Sequence, residues 1–138
     1  TSDQTVYLRP RAELVNAVDA DYFISIHINA NDSSSPNGME VLYYENEYKG
    51  VKSRDLAALF SKELEKTINL RQKGIVRRNY EDLYILDHSL VPTVLLELGY
   101  ISNKNDLKYL LQEENRQLIA NAIFNSILRA YEELPVAD

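Results

Sequence analysis

The 138-residue chain contains no cysteine and no tryptophan, and only four glycines and four prolines. Without cysteine there is no disulfide framework, no thiolate nucleophile and no cysteine-based zinc site. That absence suits export and the cytosol equally. No apolar run reaches the 18 residues that would suggest a membrane span, and the first residues lack the apolar core of a signal peptide. An excess of positive charge is missing too. Fifteen Lys and Arg face 21 Asp and Glu, leaving a net charge of −6. The only adjacent basic pair, Arg77-Arg78, is too short to track a phosphate backbone, so no nucleic-acid partner is expected.

What is present is ordinary for a globular chain. Hydrophobic residues make up 45% and charged residues 26%, and the length suits one domain with a real core. Arg9 to Val18 reads as a helix, with Pro10 in its first turn and Leu14, Val15 and Val18 on one face. Tyr22 to His27 reads as a strand. Met39 to Tyr44 is a second, entered through the turn Pro36-Asn37-Gly38. The spacing of Leu56, Leu59, Phe60, Leu64 and Ile68 predicts a helix over Arg54 to Asn69. Leu83 to Leu86 and Thr93 to Leu98 are further strands. Asn103, with Asp106 three residues on, has the form of a capping box for a helix through Leu111. A long helix follows from Glu114 to Tyr131, with Leu118, Ile119, Ala122, Ile123, Ile127 and Tyr131 facing inward. Short apolar strands alternating with helices predict an α/β fold: a mostly parallel twisted sheet with helices on both faces.

Two residues resist a purely structural reading. His27, one of two histidines, closes an apolar strand at its carboxyl end, where open α/β sheets build their sites. The plain alternative is a histidine bonded to a loop carbonyl. Glu97 lies inside "TVLLELGY", where an ionised carboxylate is costly to bury unless paired or bound to a metal. The plain alternative is a structural ion pair with Arg77 or Arg78. Two such residues ending strands of one small sheet favour a shared site.

"FISIHINAND", "NGMEVLYY" and "VPTVLLELGYISNKNDLKYL" together resemble the zinc-dependent N-acetylmuramoyl-L-alanine amidases of the amidase-3 type, which are bacterial cell-wall hydrolases. The order and rough spacing of these blocks hold from Thr1 to Leu111. The resemblance implies hydrolysis of the amide between N-acetylmuramic acid and the L-alanine of the stem peptide. Peptidoglycan would be the partner and Zn2+ the cofactor, in a secreted or cell-wall setting whose export signal is not in this sequence. It also implies roles: His27 matches a zinc ligand, and Glu97 matches the catalytic glutamate.

One departure from the family pattern is plain. The family's other histidine and glutamate ligands belong to an N-terminal segment with an Asp-x-Gly-His-Gly-like turn, and no such turn occurs here. Residues 1–138 are therefore expected to form a single amidase-like catalytic domain without the family's N-terminal strands and first ligand motif. Alone, such a chain is expected to be inactive and to pack against the missing segment or another chain. His88 reads as a groove or loop residue, and Arg77 and Arg78 as either groups for the stem peptide's carboxylates or a solvated pair. Asn29 lines the cleft or merely serves a polar loop. Two other readings stand beside the amidase: a non-catalytic peptidoglycan-binding or regulatory module, and a structural module bound to a partner protein.

Overall fold

A computed structural model describes residues 7–78 and 88–137. Helix α1 (Leu8–Ala17) leads into strand β1 (Phe23–Asn29). Strand β2 (Met39–Tyr43) follows, then a hairpin of β3 (Glu47–Tyr48) and β4 (Val51–Lys52). Helix α2 (Ser53–Thr67), strand β5 (Gln72–Arg77) and strand β6 (Thr93–Tyr100) come next. The chain ends with helices α3 (Lys104–Leu110) and α4 (Glu113–Glu133). The expected strand Leu83 to Leu86 lies outside the described residues.

Strands β1, β6, β2 and β5 form one sheet in that spatial order. β1 and β6 are parallel, β6 and β2 antiparallel, and β2 and β5 parallel. The architecture is the expected α/β sheet, with two of its three pairings parallel. Side-chain alternation sorts the strands into two faces. Met39, Val41, Val94, Leu96 and Leu98 point to the core face. There Leu56, Phe60 and Leu64 of α2, each 0% exposed, meet Ile119, Ala122 and Ala130 of α4. Each such large side chain contributes about 1.5–3 kcal/mol by leaving water. The small residues Ala122, Ser126 and Ala130 let α4 lie close, and Arg129 of α4 donates to Glu63 of α2 at 2.7 Å.

The opposite face is polar at one end and bordered by α1, whose Arg11, Leu14 and Val15 line a groove with Ser25 and His27. Two expectations about helix faces change. Leu14 of α1 and Val18 just beyond its end are exposed, and the buried positions are Ala12 and Val15. On α4, Ile127 and Tyr131 do not reach the core, and Tyr131 is 74% exposed. Both border an apolar groove of about 380 Å³ between α4 and the Tyr22–Ile24 end of β1. β1 is an edge strand, and its Ile26 is 58% exposed on the core side, beyond the reach of α2 and α4.

Candidate active site

The hydrogen-bond ladder places the polar groups. In parallel register His27 of β1 lies beside Glu97 of β6, and in antiparallel register Glu97 lies beside Glu40 of β2. Neighbours in register share a face, so all three side chains leave the sheet on the side away from α2 and α4. Lys73 of β5 extends the row, its Nζ 3.8 Å from Glu40 Oε2. One charged or titratable residue from each of the four strands thus crosses the sheet in a line. The line runs along the carboxyl ends of β1 and β6.

Two irregularities flank this row. Between His27 and Asn29, β1 advances two residues while β6 advances three, and between Met39 and Val41, β5 gains one on β2 in the same way. Each extra residue falls at a glycine with positive φ, Gly99 at +95° and Gly74 at +78°. Such a bulge resets the alternation. Tyr100 is thereby brought to the polar face, and so is Lys73. Lys73 Nζ donates to the Tyr100 hydroxyl at 3.1 Å and sits 5.1 Å from its ring centre.

Glu97 stands without a partner among the described residues. Its Oε2 is buried and has no hydrogen-bond partner, and none of the ion pairs among the described residues involves it. Burial above all, and then the Glu40 carboxylate, push its pKa above the usual carboxylate range, with Arg78 pulling the other way. His27 is shifted down, first by burial and then by Arg11. The neutral imidazole, the form able to ligate a metal, is thereby favoured near pH 7. Ser25, two residues back on the same face, holds its Oγ 2.7 Å from His27 Nε2.

The other sequence candidates separate. Arg77 ends β5, and Arg78 continues its ladder by donating its amide to the Tyr43 carbonyl, so the two side chains point to opposite faces. Arg77 is exposed and meets Glu45 at 3.4 Å. Arg78 lies on the face of Glu97, and its Nε is buried without a partner. Asn29 turns its Oδ1 to the amide of Ala30. His88 is exposed, and its carbonyl accepts from Asn16 of α1 at 2.9 Å. Among the described residues no three His, Cys, Asp or Glu side chains gather as a metal would need. Sequence reading missed Glu40 and Lys73. Glu40 carries the same signal as Glu97, an acid inside a wholly buried strand. Lys73 carries none, because its face depends on the bulge.

The sequence model of the amidase-3 family, described as N-acetylmuramoyl-L-alanine amidase, matches residues 1–129. The chain belongs to this family. As an amidase-3 member it is 35% identical over 133 residues to the YqiI protein of Bacillus subtilis, covering 96% of this chain and 62% of that one. It is also 35% identical over 131 residues to the N-acetylmuramoyl-L-alanine amidase LytC of the same organism, covering 94% of this chain and 26% of LytC. It spans less than two thirds of either relative. The crystal structure of N-acetylmuramoyl-L-alanine amidase from Clostridium difficile 630 superposes with a TM-score of 0.85 at 26% identity. That superposition covers 95% of this chain and 68% of the other. No helix among the described residues is long and apolar enough to cross a membrane.

Proposed function

We propose that this chain forms much of the catalytic domain of a peptidoglycan amidase, acting in the cell wall or outside the cell. The bond cleaved is the amide between N-acetylmuramic acid and the L-alanine of the stem peptide. The observation that carries the reading is the His27–Glu97 register pair, with a buried, unpartnered carboxylate oxygen, in an amidase-3 chain.

The residues fit zinc in part. A neutral His27 is one suitable ligand, but a catalytic zinc site takes three protein ligands and keeps an open position. Zinc, when bound, polarises the scissile carbonyl and acidifies the attacking water. In this reading Glu97 takes the proton of that water and delivers it to the departing alanine amine. Its raised pKa suits a group that must both accept and release a proton. Glu40 lies beside it, and Lys73 reaches to within 3.8 Å of Glu40. The test is release of new L-alanine amino termini from purified peptidoglycan by a form that carries a full ligand set. Glu97→Gln in that form should lower turnover by on the order of 10² to 10⁴ with zinc retained. Near wild-type turnover would remove Glu97 from the mechanism.

The second reading, a non-catalytic peptidoglycan-binding or regulatory module, draws on the absence of a three-ligand cluster among the described residues. It predicts muropeptide binding by a form with every ligand supplied, but no new amino termini.

A further inference from the structure

Arg78 and Glu97 form an unusual pair. They share the polar face of the sheet, and among the described residues Arg78 is the one cation that holds down the Glu97 pKa. Yet they do not close into an ion pair, and each has a buried polar atom with no partner, Arg78 Nε and Glu97 Oε2. A buried guanidinium N–H left unmade is costly, and guanidinium is the side chain whose planar fork matches a carboxylate. The backbone places the gap. The Arg78 amide donates to the Tyr43 carbonyl at 2.8 Å, so Arg78 enters at the far end of β2 from Glu40 and Glu97. From Glu40 to Tyr44 the strand rises about 13 Å, and the arginine side chain returns over part of that length. Val76, Leu42 and Leu95 floor the space between. The neighbouring Arg77 offers no comparable group, since it turns to the other face and meets Glu45.

We propose that Arg78 is a carboxylate-binding residue. In this proposal it holds an acidic residue of the stem peptide while the amide on the sugar side of its L-alanine lies over Glu97. The inference rests on the peptidoglycan reading and adds a requirement to it: the peptide must carry a free carboxylate within two or three residues of the scissile bond. Chains in which that group is masked as an amide are poor ligands.

The test compares two probes on the 138-residue chain by NMR titration. One is N-acetylmuramoyl-L-alanyl-D-glutamate, and the other is the same compound with both glutamate carboxylates converted to carboxamides. The expected result is about tenfold tighter binding of the carboxylate form, the size of one charge-assisted contact. A shift of the Arg78 Nε–H signal with that probe alone should accompany it. Arg78→Gln should abolish the preference, and Arg77→Gln should keep it. Equal binding of the two probes by the wild-type chain, or a preference that survives R78Q, would overturn the role of Arg78 and leave the peptidoglycan reading intact. Binding of neither probe would overturn both. The wild-type comparison needs no variant, so a misfolded R78Q leaves the proposal falsifiable.

Discussion

Glu97 also bears on stability. Its carboxyl has a higher pKa in the folded chain than an exposed glutamate has, mainly through burial. The folded state therefore holds its proton more tightly than the unfolded state does. Stability from this group is full below the ordinary glutamate range and is lost as pH rises through the folded value. Glu97→Gln should melt at a higher temperature than wild type at pH 8, and the gap should close near pH 4. Differential scanning fluorimetry across that range checks it, and a gap independent of pH would refute it. His27 and Glu97 were legible in the sequence because each is a polar residue at the end of an apolar strand. Glu40 was legible by the same rule. Lys73 and Tyr100 were not, because period-two alternation assigns them to the core face until two bulges, visible only in the ladder, reverse them.

Among the elements, α3 does more than its length suggests. Asn103 caps it by accepting from the amides of Asn105 and Asp106. The reciprocal half of the expected capping box does not form. Asp106 instead reaches out of the helix and accepts from the amides of Gly38 and Tyr100, at 2.8 and 2.9 Å. One buried carboxylate thus pins the strand carrying Glu40 to the strand carrying Glu97. Asp106→Ala would leave two buried N–H groups unmade. It should lower unfolding stability by about 3 kcal/mol in urea titrations, and a loss well under 1 kcal/mol would show that water replaces the carboxylate. The strongly periodic elements, α2 above all, were plain from sequence. β5 was not, since "QKGIVR" mixes charge with a glycine and has little strand character. The β3–β4 hairpin, of two-residue strands, was too short to leave a pattern.

For the molecule as a whole, the exposed apolar surface decides behaviour in solution. Ile26 and Ile28 of β1 are exposed, and Ile127 and Tyr131 of α4 border the groove at the Tyr22–Ile24 end of that strand, so apolar side chains lie open beside a strand edge that no described residue pairs. Such edges recruit other chains. The 138-residue chain should self-associate in light scattering, and Ile26→Lys should shift it toward the 15.9 kDa monomer. A monodisperse wild-type monomer would contradict this. Metal content follows from the same surface and site. In the proposed zinc reading His27 is the one candidate ligand among the described residues, so zinc should be lost on dialysis from the 138-residue chain. Joined to the N-terminal strands and ligand motif of an amidase-3 relative, the chain should hold zinc stoichiometrically, and His27→Ala should release it. Elemental analysis distinguishes these outcomes. Stoichiometric zinc on the 138-residue chain would mean that its ligands were misread, with His88 the first to revisit.

The parallel pairing of β1 with β6 also has a consequence in time. His27 and Glu97 touch in the ladder but stand about seventy positions apart in the chain. Everything from β2 to β5 must be threaded between them before the pair exists, and closing so long a loop is slow. On the ribosome, β1 emerges early and then waits, with its edge and its histidine unpartnered, until β6 is made. The sheet and the His27–Glu97 pair are therefore completed by the same late event, and no form of this chain that lacks β6 in its place brings the two side chains together.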